Sequence, residues 1–219
     1  ITPTKMNFDA VFNSLLKRGG TGAGPEGFRA LLARLGNPQE KYRILHVAGT
    51  NGKGTVCTLL ARTASAAGDK TGLFVSPHLV SPTERIEIDG KPISQQSFCQ
   101  AVSAVLEAEE DPLNFFEILT AAALLYFARQ GVQTAVLETG LGGRKDPTNV
   151  CRPVLTLITS IGLDHTQYLG NTLAQIAHEK AGIIKPAVPV LCGEVPAEVR
   201  RVICREAAAR NAPLRFVQE

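Results

Sequence analysis

Apolar residues recur along this chain with two periods, and the switching between them predicts its elements. Phe8, Val11, Phe12, Leu15 and Leu16 follow an i, i+3, i+4, i+7 spacing, which predicts an amphipathic first helix. That pattern runs out in Arg18 to Gly27, RGGTGAGPEG, a stretch read as a loop too glycine-rich for regular structure. A short second helix, Phe28 to Leu35, stops at Gly36-Asn37-Pro38. Short apolar runs follow at Arg43–Ala48, Thr71–Val75, Thr134–Glu138, Val154–Thr159, Val188–Cys192 and Leu214–Val217. Between them lie helical stretches at Lys53–Ala67, Ser94–Ala108, Asn114–Gln130, Thr172–Ile183 and Ala197–Arg210. Strand alternating with helix implies right-handed βαβ crossovers, hence an α/β fold with a mostly parallel sheet and helices on both faces. Glu87 to Pro92, centred on Asp89-Gly90, reads as a hairpin inserted into that order. Ligands of open parallel sheets bind at the carboxyl ends of the strands, so residues just after each run are the first candidates for function.

Composition narrows the classes. A length of 219 residues suits one large α/β domain or two small ones. With 44% hydrophobic and 20% charged residues the chain can bury a core, which excludes disorder. A net charge of +3, evenly spread, excludes a dedicated nucleic-acid clamp. The longest apolar stretch, Ile118 to Ala128, is broken by Thr120 and falls far short of the ~20 residues of a membrane span. The opening ITPTKMNFDA lacks the charged-then-apolar layout of a secretory signal. Cys57, Cys99, Cys151, Cys192 and Cys204 form no CxxC pair and fit free thiols of a reducing compartment. A globular cytoplasmic protein, monomeric, with no nucleic-acid or membrane partner, is the expectation.

Chemistry enters after the first strand. Arg43–Ala48 runs into Gly49, Thr50, Asn51, Gly52, Lys53, Gly54 and Thr55, and a helix follows. Glycines let backbone N–H groups converge on phosphate oxygens, and the helix start adds a favourable dipole. The lysine supplies a point charge, and the hydroxyl can reach a magnesium ion. The strict G-x-x-x-x-G-K-[ST] pattern fails, because Val47 replaces the first glycine and Gly54 separates Lys53 from Thr55. The alternative is a tight strand-to-helix turn with a solvated lysine, and the three glycines, lysine and threonine favour a P-loop-like phosphate cradle.

GTNGKGT after an apolar strand resembles the ATP loop of the Mur-type amide ligases. Gly54 makes it similar to the folylpolyglutamate synthase/dihydrofolate synthase branch in particular. SPHLVSPTERI (Ser76 to Ile86), LETGLGGRKDPTNV (Leu137 to Val150) and SIGLDHTQYLGNTLAQIAHEKAGIIKP (Ser160 to Pro186) agree with that branch, as does Pro25 to Pro38. The resemblance implies a P-loop NTPase-like fold of the Mur ligase central-domain type. It also implies a chain about twice this length. Residues 1–219 then read as an incomplete N-terminal ATP-binding domain without the family's C-terminal domain.

Glu138 ends a buried run near the phosphate loop, where an acid is placed to hold magnesium, the alternative being a solvated strand end. His165, within Gly162-Leu163-Asp164-His165, is on general grounds a hydrogen-bonded loop residue. The resemblance implies instead that Ser76, Glu138 and His165 coordinate two magnesium ions bridging ATP and the acyl substrate; Asp164 reads as orienting the loop or holding His165 rather than binding metal. Lys180 shares an apolar helical stripe with Leu173, Ile176, Ala177, Ala181 and Ile184. Either its stem covers apolar surface while the ammonium reaches water, or the amine is buried and reactive. The resemblance implies a carbamylated lysine that supports the second magnesium. Lys185, before Pro186, reads as a helix-end cation.

Asn114 and Glu117 read as a capping box on the helix that follows. On the resemblance, Phe116 lines a pterin pocket, where a flat ring would stack on it, and Arg144 and Asp146 serve the same substrate. Asp146 is the candidate for the amino-pyrimidinone edge, since a carboxylate accepts two parallel N–H bonds. The Gly-Gly-Arg-x-Asp form is more like dihydrofolate-making or bifunctional members, whereas Lys145, Pro147 and Ser81 depart from the usual pattern. The implied reaction joins a carboxylate of dihydropteroate or a reduced folate to L-glutamate through an acyl phosphate, with Lys53, His165 and Lys180 as catalytic candidates. A Mur-type cell-wall peptide ligase and a truncated, non-catalytic nucleotide-binding module are the rival readings.

Overall fold

The computed structural model describes residues 7–217. Its order is α1 (Phe8–Leu16), α2 (Gly24–Arg34), β1 (Arg43–Ala48), α3 (Lys53–Ala66), β2 (Thr71–Phe74), β3 (Ile86–Ile88), β4 (Lys91–Pro92) and α4 (Gln95–Glu107). Then follow α5 (Phe115–Arg129), β5 (Thr134–Glu138), β6 (Leu155–Ile158), α6 (Thr166–Leu169), α7 (Leu173–Lys180), β7 (Val190–Cys192), α8 (Ala197–Ala208) and β8 (Leu214–Phe216). The strands form one sheet in the order β4-β3-β2-β5-β1-β6-β7-β8. From β2 to β8 all pairings are parallel, and the β3–β4 hairpin adds two antiparallel strands at one edge. The expected α/β sheet is observed. Asp89 and Gly90 both adopt positive φ, 49° and 73°, as a tight hairpin turn demands.

Alternation along the strands divides the interior. Ile44, Phe74, Ala135 and Leu137 join the largest cluster, under α2, α4 and α5. Their neighbours Val47, Leu73 and Val136 face the other way, onto Cys57 and Ala61 of α3. A third cluster joins Ile158, Val190 and Cys192 to α7 and α8. α5 is buried on nearly every side, so its sequence carries almost no amphipathic pattern.

Two local expectations need correcting. The glycine-rich stretch is not loop throughout, because α2 begins at Gly24, with Pro25 in its first turn. Glu117 explains the early start. Besides closing the capping box with Asn114, its carboxylate accepts the Ala23 and Gly24 N–H groups at 3.1 Å each, satisfying donors at the start of α2. Lys185 does not bond the end of its own helix; its Nζ donates to the Asn149 carbonyl at 2.8 Å, at the end of the 3-10 turn Pro147–Val150. No helix among the described residues is long and apolar enough to cross a membrane.

Candidate functional site

The carboxyl ends of β1, β2, β5 and β6 deliver the loops that carry the candidate residues. Gly49 follows β1 with φ +155°, and a Cβ there would fall 1.9 Å from Thr159 Oγ1, so only glycine fits. Gly52 has φ +79° and starts α3, presenting the first-turn N–H groups outward. The loop is stitched to the segment after β6. Thr50 N–H donates to Ser160 O at 2.8 Å, Asn51 N–H to Ser160 Oγ at 3.0 Å, and Thr159 Oγ1 to Asn51 O at 2.7 Å. The result is a backbone-shaped concavity at a helix start, the geometry that accepts an anion.

Two lysines converge on it. Lys53 Nζ donates to Thr50 O at 3.3 Å and stands 3.9 Å from Glu138 Oε1. Lys180 does not reach water; it is 2% exposed, and its Nζ donates to Gly49 O at 2.8 Å. Burial first, and then the charge of Lys53, lowers the Lys180 pKa to about 8. At pH 7 roughly one amine in ten is therefore uncharged, against less than ~1 in 1,000 for an ordinary lysine.

Glu138 is buried at the end of β5, and burial raises its pKa against the opposing Ser76 N–H and Lys53 charge. Its Oε2 accepts the Ser76 amide at 3.0 Å, so these two expected metal-binding residues meet. Beside it, Thr139 Oγ1 is buried without a hydrogen-bond partner. A carboxylate and a serine are oxygen donors of the kind magnesium takes. His165 is not joined to this pair by any hydrogen bond or ion pair. It sits at φ +46° before α6, half exposed, with its Nε2 3.6 Å from Asp164 Oδ1. Among the described residues, no group of three or more His, Cys, Asp or Glu side chains is assembled to hold a metal.

Ser76 also borders a cavity of about 700 Å³, lined by Arg85, Phe116, Leu141, Asp146 and Tyr168 among others. Phe116 packs on the Phe74 ring at 5.7 Å, and a Cβ on Gly140 would strike its Cζ at 2.5 Å, so the tip of the ring presses on the backbone after β5. Asp146 is buried, and its carboxylate is fully used within its own loop. Oδ2 accepts Gly140 and Leu141 N–H at 2.8 and 2.9 Å, and Oδ1 accepts Thr148 N–H and Oγ1–H at 2.9 and 2.5 Å. Four donors fill the four lone-pair directions of a carboxylate. A ligand N–H reaching Asp146 must therefore displace one of them. Arg144 lies outside the cavity lining. Its Nη2 donates to His178 O at 3.0 Å and meets Glu206 Oε2 at 3.3 Å, tying the loop to α7 and α8.

Sequence reasoning missed Arg85. It is buried at the cavity wall, donates Nε–H to His78 Nδ1 at 2.8 Å, rests 5.6 Å above the Phe115 ring, and feels the charge of Glu138. In sequence it is one more charge in a polar stretch; only the 3-10 turn of Pro82–Arg85, capped by Ser81 and Glu84, turns it inward.

Comparison with known proteins gives concordant findings. The family model described as the Mur ligase middle domain matches residues 47–191. A dihydrofolate synthase/folylpolyglutamate synthase of Bacillus subtilis is 43% identical over 199 residues, covering 87% of this chain and 46% of that protein. The solved structure of E. coli FolC in complex with DHPP and ADP superposes with a TM-score of 0.91 at 34% identity, over 98% of this chain and 52% of that one. Mycobacterium tuberculosis folylpolyglutamate synthase complexed with ADP gives a TM-score of 0.91 at 36% identity, over 95% of this chain and 50% of that one. The chain thus spans about half the length of the relatives it matches.

Proposed function

Given that this chain belongs to the Mur ligase family through its middle domain, we propose that it is the ATP-binding part of a ligase joining a pterin or folate carboxylate to L-glutamate. The observation that carries this reading is the position of Ser76. Its amide touches Glu138 beside the phosphate loop, and its own residue lines the 700 Å³ cavity, so a phosphate and an acyl group bound in the two places would meet there.

In this reading the amides of Gly49–Thr55 and the start of α3 cradle the ATP phosphates, and Lys53 draws charge off the outer ones. Glu138 and Ser76, with His165 from the loop before α6, would hold magnesium, which lowers the charge repulsion between phosphate and carboxylate. A second ion would be supported by carbamylated Lys180, whose partly uncharged amine is the form that takes up CO₂. Phe116 stacks on the flat heteroaromatic ring, Asp146 exchanges one loop donor for a ring N–H, and Arg85 faces the acyl substrate's negative charge. Arg144 acts behind the loop, through its ties to His178 and Glu206. The substrate carboxylate takes the γ-phosphoryl group, ADP leaving, to give an acyl phosphate. The glutamate amine then attacks its carbonyl carbon, and phosphate leaves as the amide forms and the amine loses its proton, with Lys53 placed to share the negative charge. The free state of all five cysteines supports a reducing cytosol as its place, and every substrate named is a small molecule, which a monomer can serve.

The test is a mass-spectrometric ligation assay with Mg-ATP, L-glutamate, and dihydropteroate and tetrahydrofolate in competition. A product heavier by one glutamyl residue is expected, and its parent identifies the preferred acceptor. ATP binding with neither acceptor bound or consumed would overturn the substrate assignment.

A further inference from the structure

Behind the cavity wall, a line of buried polar side chains runs from the centre of the sheet to Asp146. His46, in the middle of β1, is wholly buried. Its Nε2 lies 2.8 Å from Thr148 Oγ1 and its Nδ1 lies 3.6 Å from Cys151 Sγ. Thr148 Oγ1 is in turn 2.5 Å from Asp146 Oδ1.

The direction of each hydrogen bond follows by elimination. Burial raises the Asp146 pKa, but three backbone N–H groups donate to its oxygens and favour the ionised form; as a carboxylate it can only accept, so the single Thr148 hydroxyl proton points to it. That hydroxyl must then accept from His46, which puts the imidazole proton on Nε2. Burial, with the charge of Lys185 as the next cause, lowers the His46 pKa to about 3, so the ring is neutral and Nδ1 carries a lone pair. Burial raises the Cys151 thiol to about 12, so S–H remains to donate to Nδ1. Every proton in the chain Cys151, His46, Thr148, Asp146 thus points the same way. At its end, the carboxylate gathers the Gly140 and Leu141 amides into the cavity wall.

We infer that His46 is a positioning residue: by donating Nε2–H to Thr148 it fixes the carboxylate of Asp146, and with it loop 140–148, in the shape that receives the acyl substrate. This rests on the reading of the cavity as the pterin or folate site. A histidine that merely filled core space would be replaceable by any side chain of like volume. A positioning histidine is replaceable only by one that carries a donor where Nε2 stood. His46→Gln places an amide N–H₂ there, whereas His46→Leu keeps the bulk and removes the donor.

The experiment pairs those two variants with Thr148→Val, which cuts the same link from the other side. His46→Leu and Thr148→Val are expected to raise KM for dihydropteroate about tenfold, the scale of one lost hydrogen bond to a charged group, with KM for ATP within about twofold of wild type. His46→Gln is expected to restore KM for dihydropteroate to within about twofold of wild type. Equal changes in both KM values, or a glutamine variant no better than leucine, would overturn the inference. Nitrogen-15 spectroscopy supplies an arm that needs no substrate. The Nε2–H tautomer is expected, with the Gly140 and Leu141 amide resonances displaced in His46→Leu and returned in His46→Gln. The Nδ1–H tautomer, or resonances that His46→Leu leaves in place, would overturn it. A wild-type protein that ignores dihydropteroate would sink the functional reading alone, and the spectroscopic arm would still decide the role of His46.

Discussion

The two loops that border the site obtain their shapes by opposite means. Loop 49–55 is shaped by its own backbone, through glycines at φ +155° and +79° and bonds from its main chain to the Ser160 carbonyl and the Thr159 and Ser160 hydroxyls. Loop 139–150 is shaped by a side chain, the Asp146 carboxylate, which gathers four donors and is itself steadied from the core. The first can survive loss of its functional side chain, because Lys53 contributes only a 3.3 Å bond to the Thr50 carbonyl beside the glycines and the ties to Thr159 and Ser160. The second cannot lose Asp146 without stranding the amides that it holds. Function and architecture are separable in one loop and fused in the other.

That contrast yields graded tests. Lys53→Ala should have the largest effect, abolishing ATP turnover by about a thousandfold or more while thermal unfolding stays at wild-type values. Wild-type-like turnover would refute the phosphate-loop assignment. Asp146→Ala should show the reverse pattern. It strands three N–H groups, that of Thr148 buried and those of Gly140 and Leu141 partly so, and is expected to cost about 2 kcal/mol in denaturant unfolding while ATP affinity is retained. A stable Asp146→Ala variant would break the contrast between the loops.

Lys180 sharpens it, since its amine is tied to the backbone-shaped loop through the Gly49 carbonyl. Bicarbonate is expected to raise activity, with ~44 Da added on Lys180, the mass of CO₂. Full activity with a bare amine would exclude the carbamate. A further effect is confined to acid pH. The folded-state pKa of His46, about 3, lies below its ordinary 6.5, so between those values the unfolded chain binds the extra proton. Stability from this residue is therefore complete above pH 6.5 and is lost as pH falls towards 3. His46→Gln should flatten that part of the pH–stability curve, and an unchanged slope would show that His46 is protonated normally in the fold.

The same contrast explains what the sequence made legible. β1 and β5 match their expected bounds, because buried strands flanked by glycine or polar turns leave sharp edges in the apolar pattern. The tight turn after β1 was legible because its conformation is written in glycines. The role of Arg144 was not, since its partners His178 and Glu206 are 34 and 62 residues away. Nor was the early start of α2, which depends on Glu117 more than 90 residues downstream. Lys180 fell between these cases. The helical period placed it on an apolar face, but only the fold brings the Gly49 carbonyl to its amine.

The β3–β4 hairpin has a consequence for how this molecule behaves at high concentration. A parallel sheet that stopped at β2 would present a row of free main-chain donors and acceptors to any passing chain. Here the outermost strand is the two-residue segment Lys91–Pro92, in which one residue is charged and the other has no N–H to offer. That border of the sheet is a poor template for growth. The hairpin therefore acts as a selvedge, keeping the sheet from being extended by other molecules along that side.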